Sequence, residues 1–474
     1  MAKESENECI SSNNFRLSNV NCINLSKCPD PINTGVGFFD HMLDQLNSHA
    51  QVGISVTVDS TRNDGPTDFT ERNRYANPVE SQGEIVRLVG HAIGYKINSL
   101  FANVEASLDE NTYRRSRFCC PLDEALVECI IIHRGNSVSG GLPTFQLAPY
   151  GEFPLGGRTK IGSWGTAHVE TFFEALSSSM NVEISLVKIR GENGHHVVES
   201  AFKAFSRALR NFLDGVDIDS IYSSSLGEAE RSHAIVEEKK ESEDYLDKVW
   251  GNGSDSFKLG AEMMRQGMIE RSTKETSILV DAKLYPEENK NNPISIQTGI
   301  QMLDIIFTEI ASQSGMQLKI ICDGDLYVDD HHSAEDVAIA FGQVLNKALG
   351  TKAGLNRMWL GKAKEGDCEV EVTMDLSNRP CLTSDLSLKT ISPTNEEKVK
   401  DLSVEMIDHA FDSIVMNGHM TVHIVEKASK SSESALEDLT VASARAFGRA
   451  LKMCTAVDPR RKGATASSKG TLSV

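Results

Sequence analysis

The stretch Val328-Asp329-Asp330-His331-His332-Ser333-Ala334-Glu335-Asp336 sets two histidines near a carboxylate at a spacing suited to metal binding. His331 and Glu335 stand at i and i+4, and Val337-Ala338-Ile339-Ala340 continues the run as a helix. Residues four apart share one helix face, so these two side chains can close on one ion. His332 lies about 100° round the helix, turned away from that ion. Adjacent histidines with one carboxylate therefore suit a pair of neighbouring metals. His195-His196-Val197-Val198-Glu199 repeats the spacing. One such motif can be no more than the polar first turn of a helix. Two in a single chain point to metal chemistry.

These motifs sit in a chain of 474 residues, 40% apolar and 24% charged, enough for two or more domains with ample core. The net charge of −19 argues against nucleic acid and against an anionic membrane surface as partners. It does not exclude a small anionic substrate, which local basic residues can hold. No apolar run reaches the length of a membrane span. Met1–Asn14 is polar and acidic, unlike a secretory signal or an Arg-rich transit peptide. Ten cysteines are scattered without a Cys-x-x-Cys pair, with Cys119 and Cys120 adjacent. That usage suggests reduced, structural thiols and a cytoplasmic protein.

The elements that must position the motifs occur twice. Thr34-Gly35-Val36-Gly37-Phe38-Phe39-Asp40-His41-Met42-Leu43 matches Thr298-Gly299-Ile300-Gln301-Met302-Leu303-Asp304-Ile305-Ile306-Phe307, and Ala204–Leu209 matches Ala446–Leu451. A repeat this long is a duplicated domain rather than a solenoid unit. The expected division is an N-terminal copy over 1–229, a charged and Gly/Ser-containing linker over 230–262, and a C-terminal copy over 263–474. Alternating segments such as Val52–Val58 read as strands, and Glu199–Leu209 and Ser434–Leu451 as amphipathic helices. Within each copy the order of strands followed by a helix recurs, which predicts an α+β fold with an inner duplication.

The Gly-x-Gly-Phe-Phe-Asp-His-Met stretch ending at His41 and Met42, the two His-His-x-x-Glu motifs, Asp458-Pro459-Arg460-Arg461 and Ser467-Ser468-Lys469-Gly470 together resemble the imidazoleglycerol-phosphate dehydratase family. The resemblance implies a lyase of histidine biosynthesis that removes water from imidazole glycerol phosphate to give imidazole acetol phosphate. It also implies two manganese ions per site, a helical bundle between two four-stranded sheets, and a large homo-oligomer of 24 domains, which 12 tandem chains would supply.

Carried over position by position, the family's metal ligands divide between the copies. The N-terminal copy keeps His41, His195, His196 and Glu199, but has Val79, Glu80 and Gly83 for the other motif and Ser185 for a strand histidine. The C-terminal copy keeps His331, His332, Glu335 and His423, but has Ile305 for His41 and Glu437, Asp438 and Val441 for the second motif. The expected substrate contacts divide too. Ser467, Lys469 and Arg379 stand in the C-terminal copy and Lys203 in the N-terminal one, where Arg445 is its counterpart. Arg114 and Arg357 match each other, Gln45 becomes Glu309, and Glu275 is set against Val20. A phosphate dianion needs such charge-assisted donors. The expectation is one composite two-manganese site built from both copies. Glu199 and Glu335 would move protons, and Asp123 and Glu124 would orient ligands. His49, His91, His133, His168, His233, His409 and His419 are expected to be surface or structural residues. The competing expectation is a non-catalytic metal- or ligand-binding assembly protein derived from the same fold.

Overall fold

The computed structural model describes residues 15–24, 32–60, 79–105, 113–133, 142–223, 265–284, 293–391, 398–429, 434–461, 463–468, 470 and 472. The expected linker and Lys469 lie outside these residues. The chain divides into two compact units, Met1–Ile218 and Asp219–Val474.

In the N-terminal unit the strands of the two larger sheets are β1 (Phe15–Asn24), β2 (Ile32–Asn33), β3 (Val52–Ser60), β4 (Arg114–Leu122), β5 (Ala125–His133), β6 (Thr144–Gln146) and β7 (Glu183–Arg190). Its helices are α1 (Gly37–Ala50), α2 (Val79–Glu105), α3 (His168–Met180) and α4 (Gly194–Asp214). The C-terminal unit has strands β8 (Gln266–Ser272), β9 (Thr276–Lys283), β10 (Ile294–Gln297), β11 (Gln317–Gly324), β12 (Met358–Glu365), β13 (Cys368–Asp375), β14 (Cys381–Ser384) and β15 (Thr421–Ala428). Its helices are α5 (Gln301–Ser314), α6 (His331–Leu349), α7 (Val404–Gly418) and α8 (Ala435–Thr455). Three strands, a helix, a strand and a second helix therefore recur twice in this unit, and the inner duplication expected from the sequence is present.

Each half of the C-terminal unit builds a four-stranded sheet, in the orders β8-β9-β11-β10 and β12-β13-β15-β14. β10 and β14 run parallel to their neighbours and the other pairs are antiparallel. Along β9 burial alternates residue by residue, so one face meets the helices and the other meets solvent. α6 packs on β8 and β9, and α8 on β12 and β13, while α5 meets α8 and α6 meets α7. The helices thus form a layer between the two sheets, an α+β sandwich. The N-terminal unit repeats this plan with sheets β4-β5-β7-β6 and β1-β3-β2. Its second sheet has three strands among the described residues.

Strand register corrects one pairing read from the sequence. α1 and α5 both end in a left-handed residue, Gln51 and Gly315, which aligns β3 with β11 so that Ser60 matches Gly324. Phe15 pairs with Ser60 and Thr276 with Gly324. Glu275 therefore corresponds to the position just before Phe15, not to Val20. Val20 falls instead at the register shift between Ser18 and Asn21. The bulge adds one residue to β1 and so accounts for only part of that six-residue difference.

Inner helices approach closely at glycines. A Cβ on Gly342 of α6 would lie 2.6 Å from the carbonyl oxygen of Ile414 and 2.9 Å from Asn417 Cβ on α7. At Gly83 of α2 the nearest neighbour would be His168 Cε1 at 3.5 Å, an ordinary contact. Gly→Ala in a helix interior ordinarily gains about 1 kcal/mol. Overpacking should reverse that sign at Gly342: Gly342→Ala is expected to lose about 1–2 kcal/mol net in denaturant unfolding, and Gly83→Ala to be neutral or stabilising.

Candidate metal centre

Among the described residues, two groups of side chains that could hold a metal ion lie one in each unit. In the N-terminal unit His41 on α1 meets His195 and Glu199 on α4, their candidate ligand atoms all lying within 4.8 Å of one another. His195 Nε2 is 3.2 Å and His41 Nε2 3.9 Å from the same oxygen, Glu199 Oε2. The local sequence arranges this. Asn193 caps α4 by accepting a 2.9 Å bond from the His195 amide, and the i, i+4 spacing puts Glu199 under His195. Lys203, one further turn along and buried, sets its ammonium 2.6 Å from Glu199 Oε1. Burial pushes the Glu199 carboxyl up, but Lys203 and the hydrogen bonds from His195 and His41 hold it well below the usual carboxylate range.

His196 faces elsewhere, as the helix angle predicts. Its Nδ1 lies 2.8 Å from Glu124 Oε2 and its Nε2 3.8 Å from Asp123 Oδ2, both at the β4–β5 turn. Glu124 Oε1 also accepts the Asn193 amide at 2.9 Å, tying that turn to the start of α4. A carboxylate on the far nitrogen of a histidine sets its tautomer and ring orientation.

The C-terminal unit builds its group from α6 and α7. Glu335 Oε2 is 3.7 Å from His331 Nε2, and Glu335 Oε1 is 3.1 Å from His409 Nε2. The His331 and His409 rings are stacked with centroids 5.4 Å apart. His332 again turns aside, its Nδ1 3.1 Å from Asp325 Oδ2, and that contact raises its pKa.

His409 was expected to be structural and His423 a ligand; the geometry reverses the two. His423 is completely buried within β15, paired with Thr373 and Thr383 on the flanking strands, and stands outside the metal-ligating group. His409 sits ten residues before His419, the left-handed residue that ends α7, just as Thr171 sits ten before Asn181 at the end of α3. The sequence signal was the match of His409-Ala410-Phe411-Asp412 to Thr171-Phe172-Phe173-Glu174. Four donors thus remain in each copy.

Where donors are missing, other groups fill the space. In the N-terminal unit the His168 imidazole covers Gly83, the counterpart of Glu335, and lies 5.3 Å from the Trp164 ring. In the C-terminal unit Arg445, the counterpart of Lys203, has lost its helix carboxylate to Val441. Its guanidinium instead grips Glu309, the counterpart of Gln45, through two bonds of 2.9 and 3.0 Å, and also meets Glu365. Glu437 pairs with Lys400 at 2.8 Å.

Several expected substrate contacts are engaged within the chain. Gln45 is fully buried behind His41, donating to its carbonyl oxygen at 3.3 Å. Arg114 donates to the Phe212 carbonyl near the end of α4. Arg357 is buried, forms a bidentate pair with Asp375 at 2.7 and 2.8 Å, and donates to the Ala466 carbonyl, so it anchors the C-terminal tail. Glu275 stands exposed at the β8–β9 turn, its carbonyl bonded to the Asp325 amide at 3.0 Å. Arg379 follows β13, where its carbonyl accepts from Ser377 and Thr421. Ser467 lies in the tail anchored by Arg357.

The rewired face yields a stability test. Glu309→Gln removes the charge and one of the two acceptor oxygens facing Arg445 and is expected to lower stability by about 1–3 kcal/mol in denaturant unfolding. If stability is unchanged, the Arg445–Glu309 pair does not compensate for the lost carboxylate.

The model of the family described as imidazoleglycerol-phosphate dehydratase matches residues 85–209 and again 298–451. The wheat (Triticum aestivum) protein named imidazoleglycerol-phosphate dehydratase 3, chloroplastic, is 38% identical over 226 residues, 48% of this chain and 79% of that one. The enzyme of the same name from Prochlorococcus marinus (strain NATL1A) is 35% identical over 211 residues, 44% of this chain and 97% of its own. A Staphylococcus aureus imidazoleglycerol-phosphate dehydratase crystal structure superposes with a TM-score of 0.34 at 25% identity, covering 41% of this chain and 99% of that one. The chain is a member of the imidazoleglycerol-phosphate dehydratase family, a histidine-biosynthesis dehydratase that carries the family domain in tandem.

Proposed function

We propose that this chain converts imidazole glycerol phosphate to imidazole acetol phosphate at a two-metal site whose ligands come from both copies. The complementary survival of the donors carries the reading: His41, His195, His196 and Glu199 persist in one copy, and His331, His332, Glu335 and His409 in the other. Random decay would strike ligands without regard to their partners. The paired copies can belong to one chain or to neighbours in a large homo-oligomer, and either arrangement yields the same site.

Imidazole and carboxylate donors fit a borderline divalent ion, and manganese, two ions per site, is our assignment from the family likeness. Bound ions would supply Lewis-acid charge to the substrate's imidazole ring. The protein groups do the rest. Glu199, held ionised by Lys203, serves as a permanent anionic ligand. Glu335, whose side chain is 35% exposed, is the carboxylate we assign to proton transfer. Asp325 and Glu124 orient His332 and His196. Arg379, Ser467 and Lys469 bind the phosphate, with Arg357 holding the tail in place, while Glu275 approaches the substrate from the β8–β9 turn. Among the described residues no helix is long and apolar enough to cross a membrane. We place the protein in the cytoplasm, as the scattered cysteine usage of the sequence suggests.

Full-length single variants test the composite site. Glu199→Gln and Glu335→Gln are each expected to lower kcat by about 10³-fold or more. Copies that work independently would leave about half the turnover in each variant. Chelation should abolish turnover and manganese restore it, with about two ions bound per chain by metal analysis. A chain that binds little metal and turns over nothing is instead the non-catalytic assembly protein.

A further inference from the structure

His409 and Glu335 sit on different helices, so their approach depends on how the first turn of α7 is fixed against that of α6. We propose that Asp330 is a positioning residue for His409, acting through Ser403; this rests on reading His331, Glu335 and His409 as metal ligands. Asp330 is the N-cap of α6 and is 7% exposed, yet its carboxylate makes no cap bond to its own helix. It reaches across to α7 instead. The Ser403 amide donates to Asp330 Oδ2 at 2.5 Å, and the Ser403 hydroxyl to Oδ1 at 2.9 Å. Lys398 Nζ stands 3.6 Å from Oδ2. Ser403 is the N-cap of α7, with φ −62° and ψ 137°. One buried carboxylate thus joins the N-caps of both ligand-bearing helices, and His409 follows within the second turn of α7.

The N-terminal copy supplies an independent observation. By the alignment that sets Val79 against His331 and Gly83 against Glu335, Pro78 stands where Asp330 does. By the shared ends of α3 and α7, Gly165 stands where Ser403 does. Pro78 has no carboxylate and Gly165 no hydroxyl, so both members of the clamp are gone from the copy that also has Val79, Gly83 and Thr171 in place of ligands. α2 and α3 pack against each other all the same. The clamp therefore follows the ligands, not the packing of the helix pair.

The test is Mn²⁺ binding to the full-length chain, by equilibrium dialysis with metal analysis, for Asp330→Ala, His409→Ala and the double variant, with thermal unfolding alongside. Asp330→Ala is expected to weaken binding about 10–100-fold while the protein stays folded. In the His409→Ala background the same change should add less than about threefold, because Asp330 acts through His409. An equal loss in both backgrounds, or no loss, overturns the proposal. If His409→Ala alone leaves binding unchanged, it is the ligand reading that fails, and the clamp falls with it. Should Asp330→Ala not fold, Ser403→Gly decides: weakened binding, restored by Ser403→Thr, supports the clamp, and unchanged binding overturns it.

Discussion

The contact between α6 and α7 is the constraint on which the C-terminal group depends. His331 and Glu335 are fixed to each other by one turn of helix, but His409 joins them only if the second helix arrives at the right distance and height. Gly342 sets the distance, since its bare Cα lets the backbone of α7 come within van der Waals reach. Asp330 sets the height by joining the two N-caps. A ligand shell spread over two helices is only as accurate as their packing, and close-packed interiors adjust little.

The two units keep one scaffold and differ at the faces where donors would stand. Identical subunits in a symmetric oligomer must present the same residues at equivalent interfaces, whereas a tandem chain lets two versions diverge. The divergence followed electrostatic rules. In the N-terminal unit a buried Lys203 neutralises Glu199 on the same helix. In the C-terminal unit the carboxylate has moved to Glu309 on α5 and the cation has become Arg445, whose planar fork spans the gap between helices. A half-buried cation without a partner would be costly, and Glu309 supplies the carboxylate that Val441 lacks.

Other cations in this unit hold the C-terminal tail. Arg357 is committed to Asp375 and to the Ala466 carbonyl, which keeps the C-terminal tail against the sheet edge. Lys352 is fully buried, donating to Asn378 and to the His419 carbonyl, and Asn378 in turn donates to the Leu472 carbonyl. Burial pushes the Lys352 ammonium down to about 8.

Much of this was legible in the sequence because it is local. The i, i+4 pairs His195/Glu199 and His331/Glu335, the sideways turn of His196 and His332, and the tandem repeat follow from helical period and from letters that match along the chain. What the sequence left undecided spans elements. His409 and His423 are both histidines on regular elements, and only packing decides that one reaches Glu335 while the other is buried in a sheet. The pairing of Glu275 with Val20 failed because the partner of a strand residue is set by its register against β3 and β11, which the letters of β1 and β9 alone do not fix. Arg357 reads as a free cation until Asp375, on the neighbouring strand, is brought beside it. Spacing within one helix is dictated by covalent geometry; neighbours across helices and strands are dictated by register and close approach, which exist only once the chain has folded.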